Sequence, residues 1–343
     1  MINSFDFILP TKIRYGRGTI VLLQEELDSL KAKKIMIITD KGLVKTGLLK
    51  KVMDNIKIEY IIFDEIEQNP KSNNVELAAK VAAENHVDCL VAFGGGSPID
   101  AAKAVSVLVK QGGKAKDYQG KGKIKEDCLP LLSIPTTAGT GSEVTFSSVI
   151  TDSEDKVKFT IKSPAIAPKT AIVDPELTLT VPPLITAATG MDALTHAIEG
   201  YTVNCTEPIA EAMGLYAIEL IVKNVLKAVK DGADIEARDQ MMMGSLIAGL
   251  CFSHADVGSV HCMAEALGSM YDAPHGMCNS ILLPYVMDYN LPNTQEKYAR
   301  VARIMGIEEK EDDLAGKKGI EALKKLSKDL GLPGIKSLNV DPK

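Results

Sequence analysis

Four side chains in the second half of the sequence have the composition of a metal site. They are Asp192 and His196 in GMDALTHAIEG, His261 in SVHCMAEALG and His275 in DAPHG. An Asp and a His at i and i+4 share one face of a helix and come within reach of one ion. His261 falls in a second predicted helix, and His275 in the turn that follows it. The chain has five histidines, and the other two, His86 and His254, have no comparable setting. One carboxylate and three imidazoles make a nitrogen and oxygen donor set. With no thiolate among them, it suits Fe(II), Zn(II) or a similar divalent ion better than Cu(I) or an iron–sulfur cluster. Taken singly, an Asp four residues before a His is also an ordinary surface helix pair, and spacing alone does not show that the two halves meet.

A second constellation precedes it. The apolar run LVAF leads into Gly94-Gly95-Gly96-Ser97-Pro98-Ile99-Asp100 and then AAKA. A strand ending in glycines and opening a helix leaves backbone N–H groups bare at a positive helix end, which suits a pyrophosphate. Pro98 stands where a first helical turn tolerates proline. The plainer alternative is a tight turn with no ligand. This is not the usual G-x-G-x-x-G pattern, and the acidic residue comes upstream, at Asp40, instead of ~20 residues downstream. A carboxylate there accepts ribose hydroxyls and repels a 2′-phosphate, favouring NAD over NADP, although Asp40 also reads as a cap for the next helix. A polar loop, PTTAGTGSE (135–143), lets a cofactor approach backbone closely, or is simply a solvated turn.

These residues need elements to hold them. IMIITD (35–40), EYIIFD (59–64), CLVAFGGGS (89–97), LLSIPTT (131–137) and AIVDP (171–175) read as buried strands separated by helical stretches such as 75–85. That rhythm predicts parallel strands with helices on both faces. After Pro182 and Pro183 the strand signal stops and nearly everything reads as helix: 209–232, 237–253, 257–272, 297–306 and 319–331. The expected architecture is an α/β nucleotide-type domain over residues 1–183. An all-α metal-binding domain follows over 184–343, with a ligand cleft between them.

Bulk properties narrow the partners. The 343 residues are 45% hydrophobic and 24% charged, with a formal net charge of -6, so no basic field draws nucleic acid or anionic lipid. The six cysteines are scattered without a C-x-x-C pair, and Asp6 interrupts any signal-like start. No apolar run reaches the ~20 residues that span a bilayer. The expectation is a soluble cytoplasmic protein, most simply a homodimer or higher homo-oligomer.

The motifs GGGSPIDAAKA, IPTTAGTGSEVT, IVDPELT, ATGMDALTHAIEGY, VHCMAEALG and APHGMCNSILLPYVM occur in this order. In them the chain resembles the iron-containing (group III) alcohol dehydrogenases, the family that includes lactaldehyde reductase and 1,3-propanediol dehydrogenase. The likeness runs from Leu9-Pro10-Thr11 to about Gly334. It implies a Rossmann-like, NAD-binding N-terminal domain and an all-α C-terminal domain, in the dehydroquinate synthase-like, iron-containing alcohol dehydrogenase fold. It also implies an NAD-linked, metal-dependent interconversion of small primary alcohols or diols and aldehydes, with Fe(II), or Zn(II) or another divalent ion, on Asp192, His196, His261 and His275. Pyrophosphate contacts are implied at Gly95, Gly96, Ser97 and Pro98 and a ribose contact at Asp40. Further cofactor contacts are implied at Asn69, Gly94, Asp100, Thr136, Thr137, Thr145 and Lys158, with Phe252 lining the pocket near the nicotinamide.

Two departures qualify the resemblance. Many members carry a second histidine four residues after the position of His261; here it is Glu265, one turn on, a candidate proton carrier, ligand or hydrogen-bonding group. The chain also stops at Asn339-Val340-Asp341-Pro342-Lys343, where members usually continue with further helices, so some apolar surface is expected to lie bare. Three rival readings stand beside this one. A glycerol dehydrogenase-like enzyme would oxidise polyols. A non-redox NAD and metal cyclase would need a basic pocket, and the stretches 190–203 and 255–280 are poor in Lys and Arg. A degenerate, non-catalytic member would be expected to have lost one of the four ligands.

Overall fold

The computed structural model describes residues 4–338. The five short chain-terminal residues 339–343, on which the expectation about length turns, lie outside the described residues. Contacts divide the chain into two compact units, one of residues 8–137 and 142–180, the other of 4–7, 138–141 and 181–338.

In the first unit the strands are β1 (Lys12–Tyr15), β2 (Lys34–Ile38), β3 (Glu59–Phe63), β4 (Cys89–Gly94), β5 (Gly120–Lys121), β6 (Leu131–Pro135), β7 (Ser147–Thr151), β8 (Lys158–Lys162) and β9 (Thr170–Val173). Six form a sheet in the order β1-β9-β6-β4-β2-β3, with every pairing parallel. Alternation sorts its side chains. Met36, Ile38, Leu90 and Ala92 enter one core, while Ile35, Ile37, Cys89, Val91 and Phe93 enter another on the opposite face. Burial on both faces is why these strands read as unbroken apolar runs. The helices here are α1 (Leu23–Ser29), α2 (Lys41–Lys45), α3 (Leu48–Met53), α4 (Ser72–Glu84) and α5 (Gly96–Gln111). Chain order reverses between β2 and β4: β2 is followed in sequence by β3 on one side and flanked by β4 on the other. In open parallel sheets, ligands bind outside the carboxyl ends of strands at such a reversal.

The sequence reading did not foresee the short edge strand β1, nor the small sheet β5-β8-β7, in which β7 and β8 form an antiparallel hairpin. Those stretches are short, and their alternation is mixed with serine, threonine and lysine.

The second unit is helical: α6 (Pro183–Thr202), α7 (Pro208–Lys230), α8 (Ile235–Ala255), α9 (Ser259–Tyr271), α10 (His275–Ile304) and α11 (Asp312–Asp329). Pro183 opens α6 at the position where its missing N–H costs nothing. Fifteen of the 20 residues of α6 are buried, from Thr186 to Tyr201, so it is the central helix of this unit. The stretch 297–306, read from sequence as a helix of its own, is the far end of α10, which departs from helical geometry at Thr294, just after Pro292. No described helix is long and apolar enough to cross a membrane.

Candidate active site

The helical unit brings Asp192, His261 and His275 together, one ligand-type atom from each lying within 4.8 Å of the others. Asp192 comes from the buried middle of α6, His261 from the first turn of α9, and His275 is the first residue of α10. Asp192 Oδ1 lies 3.9 Å from His261 Nε2 and 3.7 Å from His275 Nε2. His196 stands one turn along α6, outside this trio, with Nδ1 3.9 Å from Asp192 Oδ2. Its ring stacks between Phe252 and His261, each at a centroid distance of 4.2 Å. Phe252 is thus set against a candidate ligand, while Glu265 lies half-buried on α9, one turn beyond His261.

Asp192, His261 and His275 could hold a cation between them. His196 Nδ1 and His261 Nε2 are buried without a hydrogen-bond partner among the described residues. A buried polar atom left so costs free energy unless something satisfies it, and a divalent ion beside Asp192 would satisfy both nitrogens. Burial, together with the neighbouring His261 and against the pull of Asp192, pushes His196 down to about 3. It is therefore neutral and its lone pair is available. Carboxylate and neutral imidazoles fit a first-row divalent ion.

In the α/β unit, the carboxyl ends of the adjacent strands β2, β4 and β6 carry Asp40, the glycine run Gly94–Gly96 and Thr136–Thr137. The Thr136 amide donates to the Gly94 carbonyl at 3.0 Å. Gly94 has φ +151°, and a Cβ there would fall 2.7 Å from Pro98 Cγ, so only glycine fits. A Cβ at Gly95 would stand 3.2 Å from Thr137 Oγ1. Gly95 precedes α5 without a side-chain cap, and Ser97 and Pro98 lie in its first turn. The amides at the start of this 16-residue helix thus lack a side-chain cap, a geometry that could take a pyrophosphate.

Other expected contacts are engaged within the fold. Asp40 caps α2, its Oδ1 accepting from Leu43 N at 2.8 Å, as the capping reading of this residue expected. Both oxygens of Asp100 accept hydrogen bonds, from Ser142 Oγ and Val149 N. Thr145 Oγ1 and Ser142 Oγ each take a bond at 2.8 Å from the fully buried Lys103 ammonium. Asn69 is buried at φ +53° just before Pro70, and Lys158 begins β8.

With this geometry in place, comparison with known proteins is decisive. The family model described as "Iron-containing alcohol dehydrogenase" matches residues 10–175, and "Fe-containing alcohol dehydrogenase family, C-terminal" matches 186–342. The chain belongs to the iron-containing alcohol dehydrogenases. It is 40% identical over 340 residues to the 1,3-propanediol dehydrogenase of Citrobacter freundii, spanning 96% of this chain and 87% of that one. It is 38% identical over 333 residues to the NAD-dependent methanol dehydrogenase of Bacillus methanolicus, with coverages of 96% and 87%. A solved structure of a 1,3-propanediol oxidoreductase superposes with a TM-score of 0.96 at 39% identity, covering 99% of this chain and 90% of the other.

Two residues of this dehydrogenase's site escaped the sequence reading. Asn279 on α10, fully buried, donates from Nδ2 to Asp192 Oδ1 at 2.6 Å and lies 3.3 Å from His275 Nε2. Glu199 on α6 takes a 2.6 Å hydrogen bond from His261 Nδ1. Burial pushes the Glu199 carboxyl up, but the bonds from His261, Val260 and Gly258 outweigh it and hold it below the usual carboxylate range. Spacing carried a signal for both. Asp192, His196 and Glu199 stand at i, i+4 and i+7, and His275 and Asn279 at i and i+4, each set on one helical face.

Proposed function

We propose that this dehydrogenase interconverts small primary alcohols or diols and the matching aldehydes, with residues 1–183 binding NAD and residues 184–343 holding the divalent ion. The supporting observation is the Asp192, His261 and His275 trio with His196 beside it, in a chain of this family, with His196 Nδ1 and His261 Nε2 buried without partners among the described residues. When bound there, a divalent ion supplies Lewis acidity, which lowers the pKa of a substrate hydroxyl or polarises a carbonyl. NAD supplies the hydride acceptor. Fe(II) follows from the family and Zn(II) suits the same donors.

The chain's own residues do the rest. Asp192 contributes the negative charge that offsets the cation, and His196 contributes a neutral nitrogen donor. Phe252 stacks on His196 and fixes the ring's plane. The Gly95, Gly96 and Ser97 amides orient the pyrophosphate, Thr136 and Thr137 flank it, and Asp40 selects the 2′-hydroxyl of NAD. Asp100 and Thr145 shape the neighbouring loop through their bonds around Lys103. Glu265, on the same side of α9 as His261, carries the proton released by the alcohol. Six free cysteines and the acidic net charge support a cytoplasmic setting without nucleic acid as a partner, and a homodimer or higher homo-oligomer is the expected assembly.

The test is to purify the protein anaerobically, measure its bound metal, and follow NADH formation from a panel of two- to four-carbon alcohols, diols and glycerol. Activity lost on chelation and restored by Fe(II) or Zn(II) is expected. A metal-loaded, NAD-binding protein that oxidises nothing in the panel would overturn the assignment. Glycerol as the sole good substrate would move it to polyol oxidation.

A further inference from the structure

Glu199 is only 5% exposed. Its Oε2 lies 2.6 Å from His261 Nδ1 and also accepts from Gly258 N at 3.0 Å and His261 N at 3.3 Å, while Oε1 accepts from Val260 N at 2.8 Å. These amides open α9, whose N-cap Gly258 offers no side chain of its own. The helix end thus meets the carboxylate with backbone amides, and both of its oxygens act as acceptors. An ionised carboxylate only accepts, so its short contact with Nδ1 requires the ring proton to sit there. With the proton on Nε2 instead, an Nδ1 lone pair would face Oε2 at that distance.

We infer that Glu199 is a positioning residue for the metal: it holds the His261 proton on Nδ1, so that the bare Nε2 faces Asp192. This rests on the proposed metal site. Among the described residues, His261 Nε2 is buried without a hydrogen-bond partner while Nδ1 faces Glu199. A carboxylate that orients a ligand histidine typically changes metal affinity by about 10- to 100-fold when removed.

The experiment uses the full chain labelled with 15N-histidine, with zinc as a diamagnetic probe. In the metal-free wild type at alkaline pH, His261 is expected to show a protonated Nδ1 and a bare Nε2, and zinc is expected to shift Nε2. In Glu199→Gln, His261 is expected to populate both tautomers, and zinc affinity, read by competition with a chelating dye, to fall about 10- to 100-fold. The amide of Gln keeps the side chain's size, so a fold checked by circular dichroism is expected to persist. A lower thermal midpoint with unchanged tautomer and zinc affinity would show Glu199 to be a helix cap alone and overturn the inference. If the variant does not fold, the wild type decides: a proton on Nε2 in the metal-free protein overturns it. A folded wild type that takes up no zinc would instead bring down the metal site itself.

Discussion

The glycine loop at the carboxyl end of β4 and the histidine cluster of the helical unit, as proposed sites, would serve binding by opposite means. At the loop, the functional groups are backbone amides, and side chains matter by being missing: Gly94 and Gly95 leave the start of α5 bare. In the cluster, they would be side chains brought from α6, α9 and α10, with His196 Nδ1 and His261 Nε2 buried without partners among the described residues. A neutral backbone site tolerates solvent until its ligand arrives. A buried polar side-chain site stores an unmet demand, which a bound ion would meet.

The largest break comes from the cluster. Asp192→Ala removes the only carboxylate of the trio and with it several kcal/mol of charge stabilisation, so NADH formation should fall by about a thousandfold or more. Metal content should drop while NAD binding, measured by fluorescence titration, stays near the parent's. Gly94→Ala should do the reverse. Its Cβ would strike Pro98, so the KM for NAD should rise by about tenfold or more, a loss of roughly 1.4 kcal/mol, with metal retained. If either variant loses both ligands together, the two regions are not independent binders.

Glu265→Gln sharpens the contrast within the helical unit. Activity should fall by about 10- to 100-fold and its pH profile should shift, while bound metal is unchanged. A variant that titrates like the parent would make Glu265 structural.

The smallest effect is expected at Glu143, in the α/β unit, where Oε1 is also buried without a hydrogen-bond partner. Burial pushes this carboxyl up to about 7 from 4.5, against the pull of Lys103. The folded state therefore binds its proton more tightly than the unfolded chain. That contribution to stability is full below the unfolded value and is lost as pH rises through about 7. Glu143→Gln should then stabilise the protein by on the order of 1 kcal/mol at about pH 8 and change little near pH 5, as followed by thermal melts. A destabilised variant at the higher pH would show that the ionised pair with Lys103 matters more than its burial.

The same contrast explains what sequence could disclose. Strands β2, β4, β6 and β9 were legible because burial on both faces forces continuous β-branched and apolar runs, and the glycine loop because only glycine meets the backbone's demands at Gly94. Asp192 and His196 were legible as a pair on one helical turn. Their meeting with His261 and His275 depends on how three helices pack, which no local period encodes. The roles of Asp100 and Thr145 around Lys103 were hidden for the same reason: Lys103 reads as an ordinary helical lysine until the hairpin β7–β8 closes over it. Glu199 sat in plain view three residues after His196, but nothing in its own helix marks His261 as its partner.

The central claim is that Asp192, His196, His261 and His275 together hold one divalent ion. Crystals of the metal-loaded protein, measured at the absorption edge of the bound metal, would test it most directly. The account predicts a single anomalous peak per chain at roughly 2.0–2.2 Å from an Asp192 oxygen and from one nitrogen of each histidine, with His196 turned in to join the trio. A peak elsewhere, or an ion bound without Asp192, would contradict it.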